Sequence, residues 1–292
     1  MNYNIQCLCG NPSQFKKLFS GSHKRSLSTQ KKKTKFKFSI IQCIDCSLVQ
    51  TYPRPYENSL ETDCYQETND VNDRVRQVDT FRYYASSILG QVSEFKNKGT
   101  FIDIGASIGV LVHEAQKRGF EAFGIEINPY AAAKGRKLFG IKILEENIFT
   151  LSLQPSIADV IVISHTLEHI ESPVPFLKRV KHLLKTDGLL YIAVPNFDGY
   201  MVKFKRNQWA GLDPMRHLWQ FTPLTLAHIL DQAGFKVKKF ILNENMDQYV
   251  YELSRDNFIV KRIKQYLLSR SLQLNRGDNL ICIAEPTSGP NL

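Results

Sequence analysis

The sequence predicts an α/β protein, with a parallel sheet covered by helices on both faces and a small cysteine-bearing unit ahead of it. Three observations carry this prediction. From residue 100 onward, short apolar, β-branched runs alternate with helical stretches. One run, Asp159-Val-Ile-Val-Ile-Ser164, is apolar without alternation, as a strand buried on both faces requires. Ahead of these, two cysteine pairs bracket a lysine-rich stretch.

A chain of 292 residues holds one large domain and a small one. We expect a zinc-ribbon-like domain over 1–56, a helical cap and linker over 57–99, and the main domain over 100–292. No apolar run reaches the roughly 18 residues of a membrane helix. The start, Met1-Asn-Tyr-Asn-Ile, lacks a basic-then-apolar leader. We expect a cytoplasmic protein with reduced thiols, in which six cysteines serve metal binding or packing. The oligomeric state is not legible.

The cysteine unit comes first in the chain. Cys7-Leu-Cys9-Gly10 and Cys43-Ile-Asp-Cys46 are two knuckles that collect four thiolates around one tetrahedral structural zinc. The first pair, C-x-C, is one residue tighter than usual. The competing expectation is a degenerate ribbon without full metal affinity. Between the pairs run Lys16, Lys17, Lys24, Arg25, Lys31, Lys32, Lys33, Lys35 and Lys37, within a net charge of +10. They read as a solvated face or as a polyanion site. Phe15, Phe19, Phe36 and Phe38 either interleave with such a site or pack a hairpin. Cys64 and Cys282 read as packed thiols. Ser47 to Tyr56 is extended because Pro53 and Pro55 disfavour helix. A helix follows around Asp70 to Leu89, and Gly90 to Gly99 link it to the main domain.

Phe101 to Ile104 is the first strand of that domain. Gly105 and Gly109 follow, then a helix from Val110 closed by Gly119. Strand, glycine turn and helix present backbone N–H groups to a polar or anionic ligand, and glycines allow close approach. Ala122 to Ile127 is the next strand. Its Glu126 lies about 20 residues past Gly105, the interval at which a carboxylate accepts both ribose hydroxyls. Asn128-Pro129 opens a helix that Gly140 closes. Ile141 to Leu144 is the third strand and Asp159 to Ser164 the fourth. A helix begins at Ser172-Pro173 and ends at Asp187-Gly188, before the strand Leu189 to Val194. Residues 196–221 show no clear regular element and read as a substrate lid. Thr222-Pro223 opens the last helix, and Phe235 to Asn243 and Leu280 to Ala284 are the last strands.

Ligands in such sheets bind outside the carboxyl ends of the strands. That rule selects Asp103, Gly105, Glu126, Asn147, Ser164, His165 and Asn196. The glycines do not follow G-x-G-x-x-G, and Gly-Lys-Ser/Thr is absent, so neither a dinucleotide nor an ATP phosphate loop is indicated. A carboxylate at Asp103 suits a cation better than a pyrophosphate. Asn147 either bonds an adenine edge or its own backbone. His165 and His169, one helical turn apart, are candidate bases, with packing or capping the alternative for His169. In the lid, His217 is a further base candidate. Arg216 reads as an anion clamp or the partner of a local acid, and Trp209 as a substrate wall.

D-I-G-A-S-I-G at 103–109 resembles motif I of class I S-adenosylmethionine-dependent methyltransferases, with Ser107 in place of the usual middle glycine. Ser164-His-Thr-Leu-Glu-His-Ile-Glu-Ser-Pro173, Leu184 to Asn196 and His217-Leu-Trp-Gln-Phe-Thr-Pro223 are similar to one bacterial branch of that family. In that branch an N-terminal ribbon ends C-x-x-C-x-L-V…P-R-P, as Cys43 to Pro55 does. The resemblance implies a Rossmann-like seven-stranded sheet and S-adenosylmethionine as cofactor, held by Asp103, Gly105, Ala106, Ser107, Gly109, Glu126, Ile127, Asn147, Ile148, Ser164 and His165. It implies catalysis by His165, His169 or His217, with Trp209, Arg216 and Asn196 toward a small-molecule acceptor, first a sugar hydroxyl. Departures are Ser107, the C-x-C pair, Asn147 where Asp is commoner, and the lysine-rich loop. The rivals are a nucleic-acid-binding or RNA-modifying protein that uses the basic ribbon, and a cofactor-binding protein without catalysis. An Asn/Asp-Pro-Pro-Tyr/Phe base-methylation motif is missing, which disfavours the RNA-modifying reading.

Overall fold

In a computed structural model, residues 7–9, 14–26, 33–54, 68–243 and 276–288 are described, with isolated residues between 262 and 274. Cys64, Pro55, Lys31 and Lys32 lie outside them. The chain forms two compact units. The first comprises Met1–Leu60, Val194–Leu226 and Leu242–Leu280; the second comprises Glu61–Ala193, Ala227–Ile241 and Ile281–Leu292.

In the first unit, β1 (Phe15–Ser26) and β2 (Lys33–Cys43) form a long antiparallel hairpin. β3 (Val49–Tyr52) pairs with β2. The region expected to be irregular, 196–221, carries a short helix, single 3₁₀ turns and a two-residue strand, β9 (Trp219–Gln220). That strand extends the hairpin sheet beside β3. Composition gave no periodicity there because the segments are too short. They are fixed by burying Met201, Val202, Trp209 and Leu212 with Phe38, Ile40 and Val49 in one cluster.

The second unit carries most of a mixed seven-stranded sheet. β4 (Gly99–Ile104), β5 (Phe120–Ile125), β6 (Ile143–Leu144), β7 (Ala158–Ser164) and β8 (Leu184–Pro195) are parallel by register. With β10 (Phe235–Asn243) and β11 (Asn279–Pro286) the order is β10-β11-β8-β7-β4-β5-β6. Strand order reverses between β4 and β7, so their carboxyl ends flank the switch point at which open α/β sheets bind ligands.

Local sequence explains most boundaries. The helix Pro129–Phe139 starts where Asn128 Oδ1 accepts the Ala131 N–H at 3.1 Å, with Pro129 at its first position. It ends at left-handed Gly140, whose N–H donates to the Arg136 carbonyl. The helix Pro223–Gln232 opens with a reciprocal cap: Thr222 Oγ1 accepts the Thr225 N–H, and Thr225 Oγ1 accepts the Thr222 N–H.

The single helix expected over 70–89 is two, Thr68–Arg76 and Val78–Ser93, and the second runs through Gly90. Ala85, Leu89 and Val92 are buried on one face of it. Their packing outweighs the roughly 1 kcal/mol helix penalty of a glycine. The helix expected to end at Asp187-Gly188 stops at Leu183, because β8 already begins at Leu184.

Gly109 sits at φ +72°, and a β-carbon there would strike Ile141 Cδ1 and crowd Ile143 Cδ1. Gly109→Ala combines left-handed strain with overpacking and should lower stability by about 2–4 kcal/mol. Urea unfolding would measure this as a lower midpoint at unchanged slope.

Candidate functional site

Strands β4, β5 and β7 are adjacent and parallel, so Asp103, Glu126, Ser164 and His165 come to one edge of the sheet. The loop 105–109 is tied down at this edge. Gly105 and Ala106 donate their N–H groups to the Ile125 carbonyl at 2.8 and 3.2 Å, and Gly109 donates to the Ala106 carbonyl. The Ser107 N–H donates to Glu126 Oε2 at 2.7 Å, and the Asn128 N–H donates to Glu126 Oε1 at 2.8 Å.

This differs from the expected cradle of ligand-facing N–H groups. Those of Gly105, Ala106, Ser107 and Gly109 are engaged by the protein, because the loop folds back onto the end of β5. The reason for the glycines differs too. A β-carbon on Gly105, at φ +81°, would strike Thr166 Oγ1, and Gly109 makes room for two isoleucines. Both are required by backbone conformation and packing. Ser107 adopts φ +51°.

What the loop offers is an oriented acid. Glu126 is 9% exposed and fixed at both oxygens by backbone donors. Each carboxylate oxygen has two lone-pair directions, so each retains capacity for one hydroxyl. Beside it in sequence, Ile127 is 49% exposed, an uncovered apolar surface. Asp103 is 5% exposed. Burial, with the charge of Glu126 added, pushes its carboxyl up to about 7. Burial also raises Glu126, opposed by the Asn128 and Ser107 N–H groups and the charge of Arg74. Two buried carboxyls, with no buried cation among the described residues, favour a ligand that is cationic and carries hydroxyls.

Asn147 follows β6 and is exposed. Its Oδ1 accepts the Phe149 N–H at 3.0 Å, and its carbonyl accepts from Thr150 and Leu151, so it shapes its own turn. Arg179 donates to the carbonyls of Ile148 and Leu151 at 3.2 and 2.6 Å and holds that loop, with Ile148 buried. Arg179 was not legible as a site residue, since nothing in sequence links it to the loop.

His165 follows β7 at φ +51°, and its N–H donates to the Ala193 carbonyl. Its Nδ1 lies 3.4 Å from Glu168 Oε1; Glu168 is 1% exposed, whereas the His165 side chain is 42% exposed. The buried Glu168 carboxyl thus lies behind an accessible imidazole ring. Glu168 was visible only as the acid between two histidines. His169 ends a 3₁₀ turn, Leu167–His169, and its N–H donates to the Thr166 carbonyl.

The other expected site residues belong to the first unit. Asn196 is buried; its Nδ2 donates to the Gly277 carbonyl and its Oδ1 accepts from Asp198. Trp209 is buried in the apolar cluster, and its indole N–H donates to Asp278. Arg216 pairs with Asp213 at 2.6 Å. His217 Nδ1 lies 2.8 Å from the Gly211 carbonyl. A carbonyl only accepts, so Nδ1 carries the proton and Nε2 is the basic nitrogen.

A second candidate site is the cysteine cluster of this unit. The sulfurs of Cys7, Cys9, Cys43 and Cys46 all lie within 4.8 Å of one another. Cys7 Sγ is 3.4 Å from Cys46 Sγ, and Cys9 Sγ is 3.9 Å from Cys43 Sγ. Tetrahedral zinc with Zn–S bonds of about 2.3 Å spaces its sulfurs by about 3.8 Å, so the donor set fits such an ion. Despite its short spacing, the C-x-C pair turns both sulfurs inward. The second knuckle is built by Cys43 and Ser47: Cys43 N–H donates to Leu48, Ser47 N–H donates to Cys43, and Ser47 takes φ +62°. Burial pushes the Cys46 thiol up to about 11 and raises Cys7 as well.

A family described as "Methyltransferase domain" matches residues 76–239, more than half of the chain. The chain belongs to this methyltransferase family. Among curated proteins, none matches it. Solved structures share the methyltransferase's fold at low identity. An S-adenosylmethionine-dependent methyltransferase from Thermotoga maritima is 18% identical, with TM-score 0.53, over 74% of this chain and 95% of the other. One from Archaeoglobus fulgidus is 22% identical, with TM-score 0.51, over 70% and 93%. A Haloferax volcanii complex of the Trm112 methyltransferase activator with a methyltransferase gives 14% identity and TM-score 0.59, over 78% and 98%. S-adenosylmethionine is the cofactor of this methyltransferase.

With Asp103 at about 7 in the fold against an ordinary 3.8, the native protein binds more protons than the unfolded chain between about pH 4 and 7. Stability of the ligand-free protein therefore falls as pH rises through that window, by up to about 1.4 kcal/mol for each step of one in pH. Asp103→Asn should flatten this slope and stabilise the ligand-free protein at pH 8, as urea titrations at several pH values would show. At the cysteine cluster, Cys43→Ser should release about one zinc per chain, read by metal analysis, and lower the melting temperature.

Proposed function

We propose that this methyltransferase moves the methyl group of S-adenosylmethionine to a hydroxyl of a small molecule, first a sugar or nucleotide-linked sugar. We also propose that its cysteine unit is the structural zinc ribbon of the bacterial branch that the sequence resembles. The observation that carries the cofactor assignment is Glu126, held at both oxygens by backbone N–H groups at the switch point. Glu126 receives the ribose hydroxyls, Asp103 favours the cationic end, and the loops Gly105–Gly109 and Asn147–Ile148 frame the adenosine. Bound S-adenosylmethionine supplies an electrophilic methyl group. The protein supplies alignment and a proton acceptor.

His165 is our first base. Glu168 Oε1 lies 3.4 Å from Nδ1, and we assign Nε2 to take the acceptor's proton. His169 and His217 are the other candidates; the Nδ1–H of His217 bonds the Gly211 carbonyl and makes Nε2 its basic nitrogen. Arg216, Trp209 and Asn196 are the residues we assign to the acceptor side. Their existing bonds make Arg216 the most adjustable of the three and Trp209 and Asn196 fixed supports. The sugar assignment is drawn from the family resemblance.

Calorimetry with S-adenosylhomocysteine should show binding, weakened by about 2–3 kcal/mol in Glu126→Ala, as loss of charge-assisted hydrogen bonds implies. Binding of NAD in its place would overturn the methyltransferase reading. Once an acceptor is found, His165→Ala should lower turnover by about two orders of magnitude with cofactor affinity little changed. Unchanged turnover in His165→Ala, His169→Ala and His217→Ala would remove histidine as the base.

A further inference from the structure

We propose that the lysine–serine face of the β1–β2 hairpin is a docking strip for the ribose–phosphate backbone of RNA. The inference does not depend on which acceptor is methylated. Residues 1–44 contain nine Lys or Arg and no Asp or Glu, so they hold nine of the ten net positive charges. The other 248 residues are close to neutral. A basic domain of this kind is the electrostatic footprint of a polyanion partner.

The hairpin register arranges that charge. Ser20 pairs with Ser39, Ser22 with Lys37, Lys24 with Lys35, and Ser26 with Lys33. Cross-strand partners share a face, and alternate residues along a strand return to it. These eight positions therefore form one face of four lysines and four serines. Ser20, Ser22 and Lys37 are exposed, and the hydroxyls of Ser20 and Ser39 lie 3.0 Å apart. The intervening positions belong to the opposite face, where Phe38 and Ile40 enter the apolar cluster.

Setting Lys24 directly opposite Lys35 destabilises a hairpin, and neither strand contains an acid to offset it. A chain of phosphates does offset it. Positions 33, 35 and 37 recur every ~6.8 Å along an antiparallel strand, a repeat close to that of consecutive phosphates in an extended nucleic-acid strand. Serine hydroxyls on the same face give donors and acceptors for 2′-hydroxyls, which favours RNA over DNA. The face has no aromatic residue to stack bases and no apolar residue to enter a lipid surface. It therefore grips the backbone without reading sequence.

The test uses the full-length protein and a fluorescein-labelled 20-nucleotide oligouridylate, with anisotropy followed from 50 to 300 mM NaCl. Four lysine–phosphate contacts should give a log–log salt slope of about −3, at roughly 0.7 per contact for single strands. Replacing Lys24, Lys33, Lys35 and Lys37 by Gln should weaken binding at least about tenfold at 100 mM NaCl and bring the slope toward zero. S-adenosylhomocysteine binding and the melting temperature should be retained. If that variant fails to fold, the smaller Lys24→Gln/Lys35→Gln should still halve the slope. A charge-matched control, Lys117, Lys137, Lys178 and Lys236 to Gln, should bind RNA as the parent does. Equal losses in strip and control variants would overturn the proposal, as would absence of saturable RNA binding. Equal affinity for oligothymidylate would overturn the assignment to RNA. Preferential binding to phosphatidylserine vesicles would replace the RNA strip with a membrane-facing one.

Discussion

Burial of two carboxyl groups, Asp103 and Glu126, at the ends of neighbouring parallel strands is the constraint to which this edge of the sheet answers. A buried carboxylate is tolerated only when donors or a cation meet it. The chain meets Glu126 with two backbone N–H groups, and to do so it must bend the loop after β4 back toward β5. That bend requires the positive φ values of Gly105, Ser107 and Gly109. Thr166 packs against Gly105 and donates to the Ile104 carbonyl at 3.3 Å, so the turn carrying His165 is positioned by the same loop. Among the described residues no backbone donor meets Asp103 in the same way, and burial together with the charge of Glu126 raises its carboxyl to about 7.

Much of this was legible in sequence because it rests on short-range rules. Strand–glycine–helix order, the Asn128-Pro129 start, the Gly140 stop and the interval to Glu126 all have local causes, and all appear in the structure. The purpose of the glycines was not legible. It depends on Thr166, Ile141 and Ile143, which are distant in sequence and near in space. The same holds for Glu168, whose burial is set by packing, and for Arg179, which secures the loop after β6 from a helix begun more than twenty residues later. Trp209 shows what packing adds to a sequence reading. An aromatic in an irregular stretch suggested a ligand wall, yet its ring lies in an apolar cluster and its N–H is bonded to Asp278.

The two units divide the chain's electrostatics. Acidic groups define the switch point of the large sheet, while nine of the ten net positive charges fall in the first 44 residues. The cysteine cluster lies at the base of the basic hairpin. Four converging sulfurs there compensate for the small apolar core such a segment can bury.

The hairpin sheet is completed late in synthesis. β3 ends at Tyr52, yet its other neighbour is Trp219–Gln220, and the apolar cluster needs Met201 to Leu212. At about 5–20 residues per second, the ribosome takes on the order of ten seconds or more to deliver these segments after β3 has emerged. The large sheet's first strands are made in that interval. All four clustered cysteines, by contrast, are available once Cys46 has left the exit tunnel. The nascent chain can therefore gather its sulfurs early, while one edge of the hairpin sheet stays open until the later segments arrive. An open edge of this kind is what a strand from another chain can pair with.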